Sequence, residues 1–282
     1  MVKTNYIING VNMGAASLNS MGWAIMREGT NQLAGVEKAL NRVTVPGYDG
    51  YFQAPSTRTE QVLVFNIKTP RENLEALLAV LEHVGVDASF PTLGKIELST
   101  ADGKAAYYEL VSAMPSSVHP SDAYVKVSVT MNIPYGGWRD EATTETTNTI
   151  ASSPTVITNL AVGSSLPIRD MDIFIQGNVG VMQITDSKGS WIRTTGAYVF
   201  DSGYGIFYQG STGRAYKATN GSPWVPVADL GFALDVSGGG FKMTPKFNPA
   251  TPNDRNAELT VLSTLVSSVS LKVRWRGAYL LK

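Results

Sequence analysis

Apolar and polar residues alternate along most of this chain, and helical spacing occurs once. In "DAYVKVSVTMNIPY" Val125, Val127, Val129 and Met131 alternate with Tyr124, Lys126, Ser128 and Thr130. A period of two is that of a strand with one face covered and the other in water. "SLKVRWRGAYL" repeats it, with Leu271, Val273 and Trp275 set against Lys272, Arg274 and Arg276. "TEQVLVFNIKT" alternates Val62, Val64 and Asn66 with Leu63, Phe65 and Ile67. Both of its faces are largely apolar, which predicts a strand covered on both sides. The helical segment follows at once, in "TPRENLEALLAVLEHVG". Leu74, Leu77, Leu78, Leu81 and Val84 form one stripe at helical intervals. Thr69 is placed as N-cap, Pro70 at the first helical position, Glu72 at capping-box distance and Gly85 as the stop. A helix that follows a strand so closely is expected to cover one face of a sheet.

Around this strand–helix unit the elements are short strands. "NYIINGVNM" gives Tyr6–Ile8 and an Asn9-Gly10 turn, a second strand is centred on Trp23, and Asp102-Gly103 joins "GKIELST" to "KAAYYELVSAM" as a hairpin. From Gly136 to Thr155 the chain turns rich in Thr and Ser. A linker is expected over 139–155, between a first domain of residues 1–138 and a second of 156–282. The second domain shows no helical period. It has short alternating pieces separated by Gly, Asn and Asp, the pattern of a β-sandwich. The fold class expected is mainly β, with one flanking helix in the first domain.

Composition narrows the chemistry. Lys+Arg 23 balances Asp+Glu 23, which removes the bulk electrostatic case for nucleic acid or an anionic membrane. Zero Cys excludes disulfides, thiolate metal sites and a Cys nucleophile, and two His leave no multi-histidine site. The first residues lack the basic, apolar and small-residue sequence of a signal peptide, and no apolar run reaches membrane-spanning length. Synthesis in the cytosol without export by the general route is the expectation.

Motifs for catalysis are thin. There is no phosphate loop, zinc-protease helix or nucleophile elbow. Asp170 and Asp172, two apart on an expected strand face, and Asp254 with Glu258 are the paired carboxylates, but neither pair has the rest of a calcium loop. His83 at the helix end and His119 in a turn have no identifiable partner, and no cofactor or metal is expected. The second half carries aromatics that could stack on sugar faces. Trp191, Tyr204, Tyr208 and Trp224 are the glycan-binding candidates, against the usual role of such rings as strand and core residues.

The stretch "RVTVPGYDGYFQ" places Pro46-Gly47 and Asp49-Gly50 in a strand-like run with no reactive side chain. Its main-chain shape, and not its chemistry, is what is specified. Together, "VTVPGYDGYF" (Val43 to Phe52), "VLVFNIKTPRENLEALLAVL" (Val62 to Leu81), "GSWIR" (Gly189 to Arg193) and the terminal "RWRGAYL" (Arg274 to Leu281) make the chain resemble the distal tail proteins of long-tailed bacteriophages, also called minor tail proteins. Tyr48 stands where members of that family often carry Arg.

The resemblance implies a structural virion protein of the tail tip and not an enzyme. Its first domain would be a tail-tube-like β-sandwich with a long hairpin, closing on copies of itself as a hexameric ring. Its second would be a peripheral galectin-like or carbohydrate-binding-module-like sandwich. Implied partners are the tail tube protein, a tail-tip or baseplate protein and possible host surface glycans, without membrane insertion or sequence-specific nucleic-acid binding. Arg42, Val43, Pro46, Gly47, Tyr48, Asp49, Gly50 and Tyr51 are then expected at the subunit interface or ring lumen. The alternatives are a carbohydrate-binding adhesin on the tail tip and a glycan-cleaving enzyme. The latter needs two carboxylates roughly 5–10 Å apart across a cleft.

Overall fold

The structure, a computed structural model, describes residues 6–14, 21–31, 38–39, 42–43, 52–53, 57–58, 61–88, 90–98, 103–116, 122–134, 137–201, 203–231, 233–238, 240–247, 249–251, 255–264 and 268–279. For 27–31, 38–39, 42–43, 52–53, 57–58, 61, 98 and 179 the backbone alone is described. The chain divides into two units, residues 1–138 and 139–280.

The first unit contains strands β1 (Tyr6–Ile8), β2 (Val11–Asn12), β3 (Ala24–Asn31), β4 (Lys38–Ala39), β5 (Arg42–Val43), β6 (Phe52–Gln53), β7 (Thr57–Arg58) and β8 (Gln61–Pro70). A 3-10 turn (Arg71–Asn73) and helix α1 (Leu74–Glu82) follow, then β9 (Gly94–Leu98), β10 (Lys104–Pro115) and β11 (Tyr124–Ile133). The main sheet runs β2-β1-β9-β10-β11-β8-β3. Its longest ladder pairs β11 with β8 from Tyr124↔Pro70 to Ile133↔Gln61. That register sets Val127, Val129 and Met131 beside Ile67, Phe65 and Leu63, all buried. Alternation thus fixes register, because a slip by one residue would turn the whole apolar set to water.

β10 bends the sheet. Its first half pairs with β9, Ala105↔Glu97 to Tyr108↔Gly94, and its second half with β11, Glu109↔Asn132 to Pro115↔Val127. The register shifts between Leu110 and Ser112, and such an irregularity strengthens local twist. The sheet curls far enough for Tyr6 of β1 to meet Phe65 of β8 edge-on at 5.2 Å. The Ile25 N–H donates to the Met13 carbonyl at 3.1 Å, joining the two ends of the strand order.

The strand–helix unit forms, with differences from expectation at both of its elements. β8 continues through Thr69 and Pro70, which pair with Val125 and Tyr124, so Thr69 is a buried strand residue and not a cap. The N-cap is Asn73, whose side chain makes no capping bond and instead donates to the Met21 carbonyl at 2.9 Å, and Glu72 belongs to the 3-10 turn. Ladder bonds to β11 outcompete a cap here. Leu77 and Leu81 are buried, but Val84 lies past the helix end and is exposed. Nor is β8 covered on both sides: Val62 and Lys68 are exposed.

The helix C-terminus is held by groups far away in sequence. Asn9 Nδ2 lies 2.7 Å from the Val80 carbonyl, 2.8 Å from the His83 carbonyl and 2.9 Å from Tyr108 Oη. Tyr108 in turn donates to the Leu81 carbonyl at 2.8 Å. These bonds satisfy carbonyls that a helix end leaves without partners. Asn9 also exchanges two bonds with Lys95 and has φ +49, a conformation Asn tolerates better than most residues. Tyr108 lies flat over Gly94, where an added Cβ would stand 2.4 Å from its ring.

In the second unit the strands are β12 (Trp138–Asp140, cut by the division), β13 (Thr144–Ile150), β14 (Thr155–Leu160), β15 (Asp172–Gln176), β16 (Asn178–Val179), β17 (Met182–Asp186), β18 (Trp191–Thr194), β19 (Tyr198–Val199) and β20 (Tyr204–Gln209). They continue with β21 (Arg214–Thr219), β22 (Pro226–Asp229), β23 (Leu234–Val236), β24 (Ala257–Ser263), β25 (Val269–Trp275) and β26 (Ala278–Tyr279). A six-stranded sheet, β13-β25-β15-β20-β21-β22, and a five-stranded sheet, β14-β24-β17-β18-β23, enclose one apolar core. Ile173, Leu271 and Val273 enter it from one sheet, Ile184, Leu259 and Val261 from the other. This is a β-sandwich. The linker expected over 139–155 is not a linker: Thr144–Ile150 pairs along its whole length with β25, and Thr155 opens β14. A strand on a sheet edge can be Thr-rich and polar, since only Ile150 needs to reach the core.

Candidate functional site

The two ends of the stretch Arg42–Gln53 pair with each other. Ala24 pairs with Lys68, Asn31 with Val64, Lys38 with Arg58, Ala39 with Thr57, Arg42 with Gln53 and Val43 with Phe52. Each pair is nested inside the one before. β3–β8, β4–β7 and β5–β6 are therefore successive ladders of one antiparallel excursion that leaves the main sheet and returns to it. Of the interface candidates, Arg42 and Val43 form β5. Pro46, Gly47, Tyr48, Asp49, Gly50 and Tyr51 lie outside the described residues, as does His119.

The four glycan candidates do not come together. Trp191 is on β18 of the five-stranded sheet, whereas Tyr204 and Tyr208 are on β20 of the six-stranded one. Tyr208 is 3% exposed and lies in the core between the sheets. Trp224 is 5% exposed and packs on the opposite face of that sheet, 5.3 Å from Phe174 and 5.5 Å from Phe207. The Arg274 guanidinium lies 4.1 Å over its ring. Neither Tyr208 nor Trp224 offers a free ring face, because each was needed to exclude water from an apolar cluster. Tyr204 is half-buried under Lys217. Trp191 is half-buried on the outer face of its sheet, where Thr185↔Trp191, Gln183↔Arg193 and Arg193↔Asp235 are neighbours. Gln183, Arg193 and Asp235 were not singled out from the sequence. Period two puts them on polar strand faces, but which strands lie side by side is a matter of long-range register.

The carboxylates are occupied with structure. Asp170 precedes β15 and does not share a strand face with Asp172; it accepts a hydrogen bond from Arg139 Nη2, both side chains being buried. Removing one member of such a pair leaves an uncompensated buried charge. Asp172 accepts the Gly210 N–H at 3.1 Å. Burial pushes its carboxyl up to about 6, against the opposing pull of the Gly210 N–H and of Arg274. Arg274 donates to Glu145 Oε2 from Nε at 3.1 Å and Nη2 at 2.6 Å. Glu258 bonds Lys246, and Asp254 lies outside the described residues. Among the described residues no group of three acidic, His or Cys side chains could hold a metal ion, and no helix is long and apolar enough to cross a membrane.

The Dit protein (gp 19.1) of SPP1, described as a paradigm of the hub adsorption apparatus in phages infecting Gram-positive bacteria, superposes with a TM-score of 0.58 at 12% identity. The match covers 98% of this chain and 99% of that one. This chain has the Dit fold. Chains of the phage P2 baseplate in its activated conformation, with Ca and with Sr, also match, at 11% and 10% identity and TM-scores of 0.41 and 0.39. They cover 99% and 97% of this chain and 100% and 98% of theirs. No family model and no curated protein matches the sequence.

Proposed function

We propose that this chain is a structural protein of a bacteriophage virion, located at the distal end of the tail. There it forms a homohexameric ring that joins the tail tube to the tail-tip or baseplate proteins. The observation that carries this reading is the full-length likeness to the SPP1 hub protein. The nested arm from β3 to β8 supports it: among the described residues β4 and β7, and β5 and β6, pair only with each other, and strands with open edges gain by docking on a neighbouring copy. In this reading Arg42 to Tyr51 lie at the subunit interface or ring lumen. The test is size-exclusion chromatography with light scattering, followed by negative-stain microscopy. Annuli with a central hole are expected. The variant Gly47→Val/Gly50→Val is expected to stay a folded protomer by circular dichroism. A chain that remains a single protomer at every concentration refutes the ring.

One observation favours a second role for the sandwich, contact with surface glycans. Trp191 shares an outer sheet face with Gln183, Arg193 and Asp235, an aromatic ring beside planar hydrogen-bonding groups. Glycan-array binding that Trp191→Ala abolishes and Trp224→Ala destroys only by unfolding would establish it. Equal binding by a folded Trp191→Ala variant would remove it.

A further inference from the structure

Two charged strips of the first unit are left without partners of opposite sign. On the outer face of the main sheet, Lys126 of β11 and Lys68 of β8 are directly paired across the strands, and both are exposed. Like charges opposite one another weaken a sheet. Neither lysine has a carboxylate partner among the described residues; Lys68 Nζ instead lies 4.0 Å over the ring of Tyr124, itself 52% exposed. The second strip is on the helical segment. Its exposed positions recur at 72, 75, 79 and 82, the intervals of one helix face, and carry Glu72, Glu75, Ala79 and Glu82. None of the three glutamates is in an ion pair among the described residues. The cations of the segment are Arg71 at its start and His83 at its cap.

We infer that these strips mate between copies: the Glu72–Glu75–Glu82 face of one protomer docks on the Lys68–Lys126–Tyr124 face of the next. This rests on the ring reading and specifies which surfaces close the ring. The contact is heterologous, head to tail, and repeats of such a contact close when the rotation allows. A second copy is favoured over nucleic acid because the chain itself supplies the complementary acidic strip, and because its net charge is zero. The charges set partner orientation and assembly rate, and they make the contact sensitive to salt.

The experiment is charge reversal in the full chain, with assembly followed by light scattering against protein concentration at low and moderate salt. Lys68→Glu/Lys126→Glu is expected to raise the half-assembly concentration roughly tenfold or more, since attraction at both positions turns into repulsion at every contact of the ring. Adding Glu72→Lys, Glu75→Lys and Glu82→Lys restores the pairing with signs exchanged, and assembly is expected to return to within about threefold of the parent. Circular dichroism of each protomer separates misfolding from lost contact, and recovery in the exchanged variant could not follow from misfolding. Rings formed equally well by the lysine-reversed variant overturn this inference and leave the ring reading intact. So does a variant that assembles normally but no longer retains duplex DNA that the parent retains. A parent chain that never assembles overturns both.

Discussion

Replacing Asp172 by Asn should stabilise the second unit at neutral pH and leave it unchanged in acid. Asp172 starts β15 beside Arg274, with the Gly210 N–H on its carboxylate. Burial raises its pKa from the ordinary 3.8 to about 6. The folded protein therefore holds a proton, between those two values, that the unfolded chain has already released. Stability falls as pH rises from 3.8 to about 6 and is level above that. At 1.36 kcal/mol per pH unit the ionised carboxylate is held at a cost of about 3 kcal/mol. Asn keeps an acceptor for Gly210, and the attraction of Arg274 is already contained in the raised value; solvent screening at this partly exposed strand end brings the net gain at pH 7.5 to about 1–2 kcal/mol. That corresponds to roughly 3–8 °C in the melting temperature of a unit this size. Calorimetry of parent and Asp172→Asn protein at pH 4, 5, 6 and 7.5 isolates the group, because every other titration is common to both. A difference that is constant across this range, or a variant less stable at pH 7.5 than at pH 4 relative to its parent, refutes the reasoning.

Asn9→Ala removes the bonds to Val80, His83 and Lys95 and a residue suited to φ +49, and should cost about 2–4 kcal/mol in urea unfolding. Tyr108→Phe, which loses the bond to Leu81 and the acceptor for Asn9, should cost about 1–3 kcal/mol by the same measurement. Gly94→Ala must push a buried, hydrogen-bonded Tyr108 ring off the strand, and a loss of about 1–3 kcal/mol with an altered near-ultraviolet tyrosine signal is expected. Trp224→Ala opens the Phe174–Phe207 cluster and should cost about 3–5 kcal/mol, with increased binding of a hydrophobic dye as the readout.

Elements whose two faces differ in polarity were legible in the sequence, and those that lie on an edge were not. β11 and β25 appear in the structure with the in–out pattern their residues spell, because each has one face on a core. β13 reads Thr-Glu-Thr-Thr-Asn-Thr-Ile and shows no apolar period, since it is a sheet edge that sends only Ile150 fully inward. Its β-branched Thr content was the available signal. β22 is exposed at every position and was missed for the same reason. Thr69-Pro70-x-Glu72 met the local rules for a helix start, yet ten paired positions between β8 and β11 outweighed a single cap. The burial of Trp224 could not be read locally at all, because Phe174 and Phe207, which cover it, come from two other strands.

The polar groups most suggestive of chemistry are engaged in contacts within the fold. Asp170 meets Arg139, Asp172 holds the turn at Gly210, and Asn9 and Tyr108 close the end of α1. Each of these partners lies far away in sequence, so each contact fixes how separate strands or turns sit relative to one another. In the ring proposed above, such contacts would fix the angle at which a protomer offers its faces.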